Sequence, residues 1–266
     1  MNDSVTPDGV VKYYCRFDQA GECRYGQVLG DKIKPLDGAP WCGGKQDGDV
    51  IPLASVGLTH PVCPGKIIGV GLNYQSHLGD RVVRDVPGLF AKFPNTIIGS
   101  GDIIPYPPGA TLLQAEGELV IVIGKTARNV SLENVSDHIF GVTCGNDVSE
   151  RNWQKNDLQW TRAKSSDGFG PIGPMVARGL NYRDLELTTR VNGEVVQNER
   201  TSNMIFSIND IVAFASNHMT LDPGDLIFTG TPGTTATITP DDLVEVEIED
   251  IGILSNMVQL VGRAEA

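Results

Sequence analysis

The stretch "LLQAEGELVIVIGK", Leu112 to Lys125, places four branched aliphatic residues, Val120 to Ile123, behind two glutamates that stand one residue apart. A short apolar run bounded by turn residues reads as a buried strand, here over residues 112–124. On a strand, side chains at i and i+2 point the same way, so Gln114, Glu116 and Glu118 are expected to share a face. Two neighbouring carboxylates repel, and burial strengthens the repulsion. One resolution is a polar edge facing water, as with Glu245, Glu247 and Glu249 near the C-terminus. The other is a divalent cation, since hard oxygen ligands suit Mg²⁺, Mn²⁺ or Ca²⁺. Spacing alone leaves these two readings level.

The rest of the 266-residue chain favours a β-rich fold with many turns: 40% of residues are hydrophobic, with 31 Gly and 16 Pro. "GVVKYYCRF" and "CRYGQVL" read as a hairpin joined by "DQAGE". Residues 38–62 look irregular, and a boundary is placed near Pro61–Gly65. It divides a small N-terminal region, 1–64, from a larger one, 65–262. Further strands are expected at "KIIGVGLNY" and at 139–146, 174–177, 185–191 and 225–229. Asn192-Gly193 marks a hairpin turn. "SINDIVAFASNHM" reads as a helix capped by Ser207, with Ile208, Ile211, Val212 and Ala215 on its apolar face. Val244 to Ile248 alternates as a half-buried strand does. The expected class is mainly β with short helices, α+β.

A formal net charge of −12 argues against bulk attraction to nucleic acid or an anionic membrane. No apolar run reaches membrane-spanning length. The five cysteines form no CxxC pair, which suits reduced thiols in a cytosol-like compartment. "MNDSVTPDG" lacks the basic and apolar regions of a signal peptide, so a cytoplasmic location is expected.

Several polar residues are candidates for chemistry, each with a plainer alternative. Asp147 ends a strand-like run and could be a third ligand or the cap of the following turn. Arg162 and Lys164 lie in a Gly- and Pro-rich loop, where function and simple solvation compete. In "DLIFTGTPGTT" a turn follows a strand, and its N–H groups with the Thr231 hydroxyl could hold an anionic oxygen. It lacks the ending of a P-loop, and "GVGLN" lacks the full dinucleotide fingerprint. His77 and Asp80 are three residues apart, the spacing of a base and its orienting carboxylate on a helical turn, or of two surface residues.

In order, "GLNYQSH", "EGELVIVIGK", "GNDVSERNWQ", "RAKSSDGFGPIGP", "RVNGEVVQ", "LDPGDLIFTGTPG" and "VEVEIEDIGIL" resemble segments of the fumarylacetoacetate hydrolase family, from about Lys66 to about Val261. The resemblance implies a mixed β-sandwich roll, a homodimer and a Mg²⁺ or Mn²⁺ site. Its metal ligands fall on Glu116, Glu118 and Asp147, its substrate-binding residues on Gln154, Lys164 and Thr231, and its lid histidine on His77. Two departures stand out. Asp80 replaces a common glutamate and follows Gly79, which weakens a helix by about 1 kcal/mol relative to Ala. Ser166 stands where an aromatic is common. The activity implied is hydrolysis of a C–C bond in an acylpyruvate or related 2-oxo acid through an enolate, with His77, Asp80 and Lys164 catalytic. Oxaloacetate-type decarboxylation and keto–enol tautomerisation are alternatives, and a non-catalytic acid-binding module is the rival from another class. The substrate implied is a small anionic 2-oxo acid. Three carboxylates, one divalent cation and Lys164 would make the site neutral.

Overall fold

Why the run after Glu118 can be apolar on both sides is visible in a computed structural model that describes residues 10–262. Gly117–Ile123 is buried at every position. It lies inside a twelve-stranded sheet, antiparallel both to Ile139–Asn146 and to Leu226–Phe228. Its odd-numbered residues, Leu119, Ile121 and Ile123, join one core cluster, and Val120 and Val122 join another. The first cluster is closed by a five-stranded sheet, through Leu187, Val246, Ile248 and Leu254, and by the helix Ile208–His218. The second is closed by Ile67, Phe140, Ile172 and Phe228, with Tyr14 and Trp41 of the N-terminal segment packed on its edge. A strand covered on both faces has no need of a polar side.

Each covering element follows from its sequence. Lys12–Gln19 and Glu22–Leu29 form the expected hairpin through Ala20 and Gly21, both at positive φ. Lys12–Gln19 also pairs with Gly170–Arg178, so the N-terminal strands extend the main sheet. In Leu243–Ile248 the residues Val244, Val246 and Ile248 point inward, while Glu245 and Glu247 remain half-exposed. Those glutamates are thus a polar strand face. The helix is capped reciprocally: the Ser207 hydroxyl accepts from Asp210 N–H, and the Asp210 carboxylate accepts from Ser207 N–H at 2.9 Å. No helix among the described residues is long and apolar enough to cross a membrane.

One expectation is corrected. The single strand over 112–124 is two strands, broken at Glu116. Leu113–Ala115 pairs with Ser149–Glu150 and Ala236–Thr237 in a separate three-stranded sheet. Side chains from distant segments cause the break. Glu116 N–H donates to Asn146 Oδ1 at 3.0 Å, and Gly117 N–H donates to Gln197 Oε1 at 3.0 Å. Glycine is required at 117 because a Cβ there would lie 2.0 Å from Thr189 Oγ1.

Candidate active site

The break at Glu116 turns its side chain toward the end of the neighbouring strand. Gly117 is opposite Asn146, so Glu116 meets Asp147, whose N–H donates to Glu116 O at 2.9 Å. Glu118 comes from the same buried strand. Oxygen atoms of Glu116, Glu118 and Asp147 lie within 4.8 Å of one another, and all three residues are buried. The solvent-facing reading of Glu116 and Glu118 is therefore set aside.

Three cations stand around these acids. Lys164, carried by the short helix Thr161–Ser165, donates to Glu116 Oε2 at 2.7 Å and also to Asp147 Oδ2. Lys92, at the end of strand Gly88–Lys92, has no side-chain exposure and donates to Asp147 Oδ1 at 2.7 Å. Its remaining donors meet the carbonyls of Lys164 and Phe169. Arg151, at the start of helix Arg151–Asn156, pairs with Glu116 Oε1. It also holds Gln114 Oε1 at 2.7 Å and Gln154 Oε1 at 2.9 Å. Gln114 thus belongs to the site through Arg151, even though the strand it was expected to share is broken.

The electrostatics divide the triad. Burial pushes the Glu116 carboxyl up, but Lys164 and Arg151 outweigh it and hold the group below the ordinary carboxylate range. Glu118 goes the other way: burial, then the charges of Asp147 and Glu116, push it well above that range. It accepts Gly230 N–H at 2.7 Å and makes no ion pair among the described residues, the Lys164 charge only partly offsetting the shift. Burial opposes the charge on Lys164, yet Asp147 and Glu116 raise its pKa; burial lowers that of Lys92. A divalent cation fits this donor set. The ligands are hard oxygens, and Glu118 is a buried acid beside two others that is ion-paired with none of the three cations. The charge count needs correcting: three acids already face three cations, so an added divalent ion leaves the inner site positive rather than neutral.

Around the triad lies a cleft of about 710 Å³. Phe90 and Trp160 give it an aromatic wall, with ring centroids 5.7 Å apart. Trp160 is held at φ 57°, a left-handed conformation costing roughly 1–2 kcal/mol for a residue with a Cβ. Ser166 does not line the cleft; its hydroxyl donates back to Arg162 O at 2.8 Å. Gln154, Thr231 and His77 do line it. The Thr231 hydroxyl gives its proton to Gly117 O at 2.9 Å and accepts from Gln197 Nε2 at 2.9 Å. It therefore offers the cleft a lone pair and no proton.

The expected His77–Asp80 pair is not formed. The helix Gln75–Leu78 ends at Leu78 because Gly79 leaves the helical region at φ 61°, and Asp80 lies exposed beyond it. His77 Nδ1 lies 2.7 Å from Gly233 O instead. A carbonyl only accepts, so Nδ1 carries the proton of this bond, and in the neutral ring the lone pair falls on Nε2.

A family model described as fumarylacetoacetate hydrolase, C-terminal, matches residues 66–259. The chain belongs to the fumarylacetoacetate hydrolase family. Residues 14–61 match a second model, described as Rv2993c-like, N-terminal. The mitochondrial oxaloacetate tautomerase of Rattus norvegicus is 37% identical over 223 residues, covering 79% of this chain and 71% of that one. A crystal structure of 2-hydroxyhepta-2,4-diene-1,7-dioate isomerase from Mycobacterium marinum aligns with TM-score 0.88 at 38% identity, over 95% of this chain and 100% of that one. Maleylpyruvate hydrolase from Sphingobium sp. SYK-6 aligns with TM-score 0.79 at 28% identity, over 94% and 100%. The architecture is thus the β-rich fold of this family, and its named relatives are enzymes of more than one reaction type.

Three residues of this candidate site escaped the sequence reading: Arg151, Lys92 and Gln197. Arg151 had a signal, since it precedes Gln154 by three residues on a helix that follows Asp147 directly. Gln197 closes the family-like segment "RVNGEVVQ" but only the tertiary fold brings it to Thr231, and Lys92 had no signal at all before the fold brought it to Asp147.

Proposed function

We propose that this chain is a divalent-cation-dependent enzyme acting on enolisable 2-oxo acids, and that its reaction is keto–enol proton transfer: tautomerisation or the related isomerisation. The observation that carries this reading is the setting of His77. Its ring is oriented by the carbonyl of Gly233, with no carboxylate to stabilise an imidazolium while water attacks. With Nδ1 held by that carbonyl, Nε2 is the ring atom left for the transfer of a proton between carbon and oxygen, which requires no attacking water. The oxaloacetate tautomerase and diene-dioate isomerase among the relatives support the same choice.

In this reading Glu116, Glu118 and Asp147 hold the cation, which when bound supplies a Lewis acid for the 2-oxo carbonyl. Arg151 has N–H groups left after its bonds to Gln114, Gln154 and Glu116, and these take the substrate carboxylate. Lys164 has one N–H beyond Glu116 and Asp147, directed at the 2-oxo oxygen as it gains negative charge. His77 Nε2 removes the proton from the carbon beside the oxo group and returns it to the enolate oxygen. Phe90 and Trp160 keep water from the flank of the cleft.

The test compares two reactions on Mg²⁺- or Mn²⁺-loaded protein: ultraviolet decay of enol-oxaloacetate, and hydrolysis of an acylpyruvate. Tautomerisation should dominate, and His77→Ala should slow it by about 10²-fold or more. Faster acylpyruvate hydrolysis would put a hydrolase in its place. An unchanged tautomerisation rate in His77→Ala would remove His77 from the chemistry.

A further inference from the structure

His77 stands on a single helical turn, Gln75–Leu78, whose N-cap residue Tyr74 makes no side-chain cap. One turn has little stability of its own. Leu72, which joins it to strand Ile67–Gly71, is held at φ 60°, a left-handed conformation that a residue with a Cβ adopts only where its surroundings impose it. Tyr74 and Leu78 are buried and attach the turn to the core, but apolar burial has no direction. Hydrogen bonds must set where the His77 ring stands.

Those bonds converge on Asn73, which has no exposure and does not line the cleft. Its Oδ1 accepts from Phe206 N–H at 2.8 Å, and its Nδ2 donates to Phe206 O at 3.1 Å and to Thr229 O at 2.8 Å. Only one orientation of the amide satisfies an N–H and two carbonyls at once. Its backbone carbonyl accepts from Ile205 N–H at 2.8 Å. Thr229 opens the turn that runs to Gly233, and Gly233 meets the helical turn from the other end. Gly233 O holds His77 Nδ1 at 2.7 Å, and Gly233 N–H donates to Ser76 Oγ at 3.0 Å. The two segments are in close contact: a Cβ at Gly230 would lie 2.7 Å from that of Asn73. The turn itself is anchored without Asn73. Thr229 N–H and hydroxyl both donate to Leu119 O, Gly230 N–H donates to Glu118, and the Thr231 hydroxyl donates to Gly117 O. Asn73 therefore fastens the His77 segment to a turn already tied to strand Gly117–Ile123.

We propose that Asn73 is a positioning residue: by clamping the His77 segment to the turn that touches Glu118, it fixes the placement of His77 relative to the acid triad. The inference rests on the proposed function, in which His77 moves the proton. A misplacement of about 1 Å can cost a reacting group about 10²-fold in rate, so a buried amide can govern the reaction without touching substrate.

The test is a double-variant cycle on Mn²⁺-loaded protein, with tautomerisation of enol-oxaloacetate as the assay. Asn73→Ala should lower kcat by about tenfold or more, while KM and calorimetric Mn²⁺ affinity stay within about threefold of wild type. In a His77→Ala background the same change should cost less than about twofold, because the group it positions is gone. Asn73→Asp, of equal size, keeps the bond from Phe206 N–H and sets an oxygen against the Thr229 carbonyl. It should behave as Asn73→Ala does, and it carries the test if Asn73→Ala does not fold. An equal loss in both backgrounds, an unchanged kcat in a folded variant, a loss of Mn²⁺ affinity, or failure of both variants to fold would overturn the positioning role and leave the proposed function standing. Absence of tautomerisation in the unmodified protein, or an unaffected rate in His77→Ala alone, would overturn the proposed function and this inference with it.

Discussion

Lys92 is the residue whose removal most sharply tests the charge balance of the site. Replacing it with Met keeps most of the volume and removes the ammonium group. Asp147 Oδ1 then loses its partner at 2.7 Å, and the carbonyls of Lys164 and Phe169 lose a donor. Breaking a buried ion pair from one side costs about 3–5 kcal/mol. The two carbonyls add about 1 kcal/mol each. Lys164 keeps its contact with Asp147 and recovers part of this, so the expected loss is about 4 kcal/mol or more. With a urea slope of about 3 kcal/mol per molar, the unfolding midpoint in chelator should fall by more than 1 M. The response to metal should have the opposite sign. A cation that saturates the wild type at a hundred times its Kd adds about 2.7 kcal/mol. At the same free Mg²⁺ or Mn²⁺ the variant should gain more, because one positive charge has left the acids that hold the ion. An unchanged midpoint in chelator, or a smaller metal-dependent gain in the variant than in wild type, would refute the account.

Two further predictions separate structural from functional acids. Glu118→Gln should hold or raise the metal-free unfolding midpoint, since it removes a buried acid with no cation partner, while Mn²⁺ affinity by calorimetry falls by about 100-fold or more; unchanged affinity would exclude Glu118 as a ligand. Glu150 accepts the N–H groups of Thr111 at 3.0 Å and Leu112 at 2.7 Å, and caps helix Arg151–Asn156 through Trp153 N–H. Burial raises its carboxyl, but these N–H groups outweigh it and hold it below its ordinary value of 4.5. A depressed folded pKa contributes stability above the ordinary value, and the contribution is lost as pH falls through the folded one. The wild type should therefore be more stable than Glu150→Gln near pH 7, with the gap narrowing as pH falls below about 5; a pH-independent gap would count against the role.

The parts of the fold legible in sequence were those fixed by local pattern. The alternation at Val244 to Ile248, the Ser207 cap and the Asn192-Gly193 turn depend on neighbours in the chain, and each stands where it was expected. The break at Glu116 was not legible. The apolar pattern runs smoothly through it, and the ladder is interrupted by Asn146 and Gln197, which lie 30 and 80 residues away. The acid triad could be anticipated from the family resemblance, but its counter-charges could not. "GLFAKFP" gives no hint that Lys92 is buried; the hint arises only when Asp147, Lys164 O and Phe169 O converge on it. Asp80 failed for a local reason that was partly visible: Gly79 ends the helical turn on which the pair with His77 depended.

The corrected charge count bears on which reaction the site favours. Three cations stand beside the three acids, with ion pairs that reach Glu116 and Asp147 but not Glu118, so the count is neutral when all three acids are ionised. Under the proposed function, a divalent cation held by the ionised acids would add two uncompensated positive charges at the buried end of the cleft. A 2-oxo acid in its keto form brings one negative charge there, from its carboxylate. Its enolate brings two, one on the carboxylate and one on the oxygen. In that reading the cation-loaded inner site would match the enolate better than the ground-state acid, and a preorganised field of this kind would accelerate the step that creates the second charge. Hydrolysis also passes through an enolate, but it needs in addition a base charged with moving a proton from water. His77 sits against a carbonyl at 2.7 Å, with Asp80 outside the cleft. This charge match and the carbonyl-held histidine are the two observations that support proton transfer over hydrolysis in the proposed function.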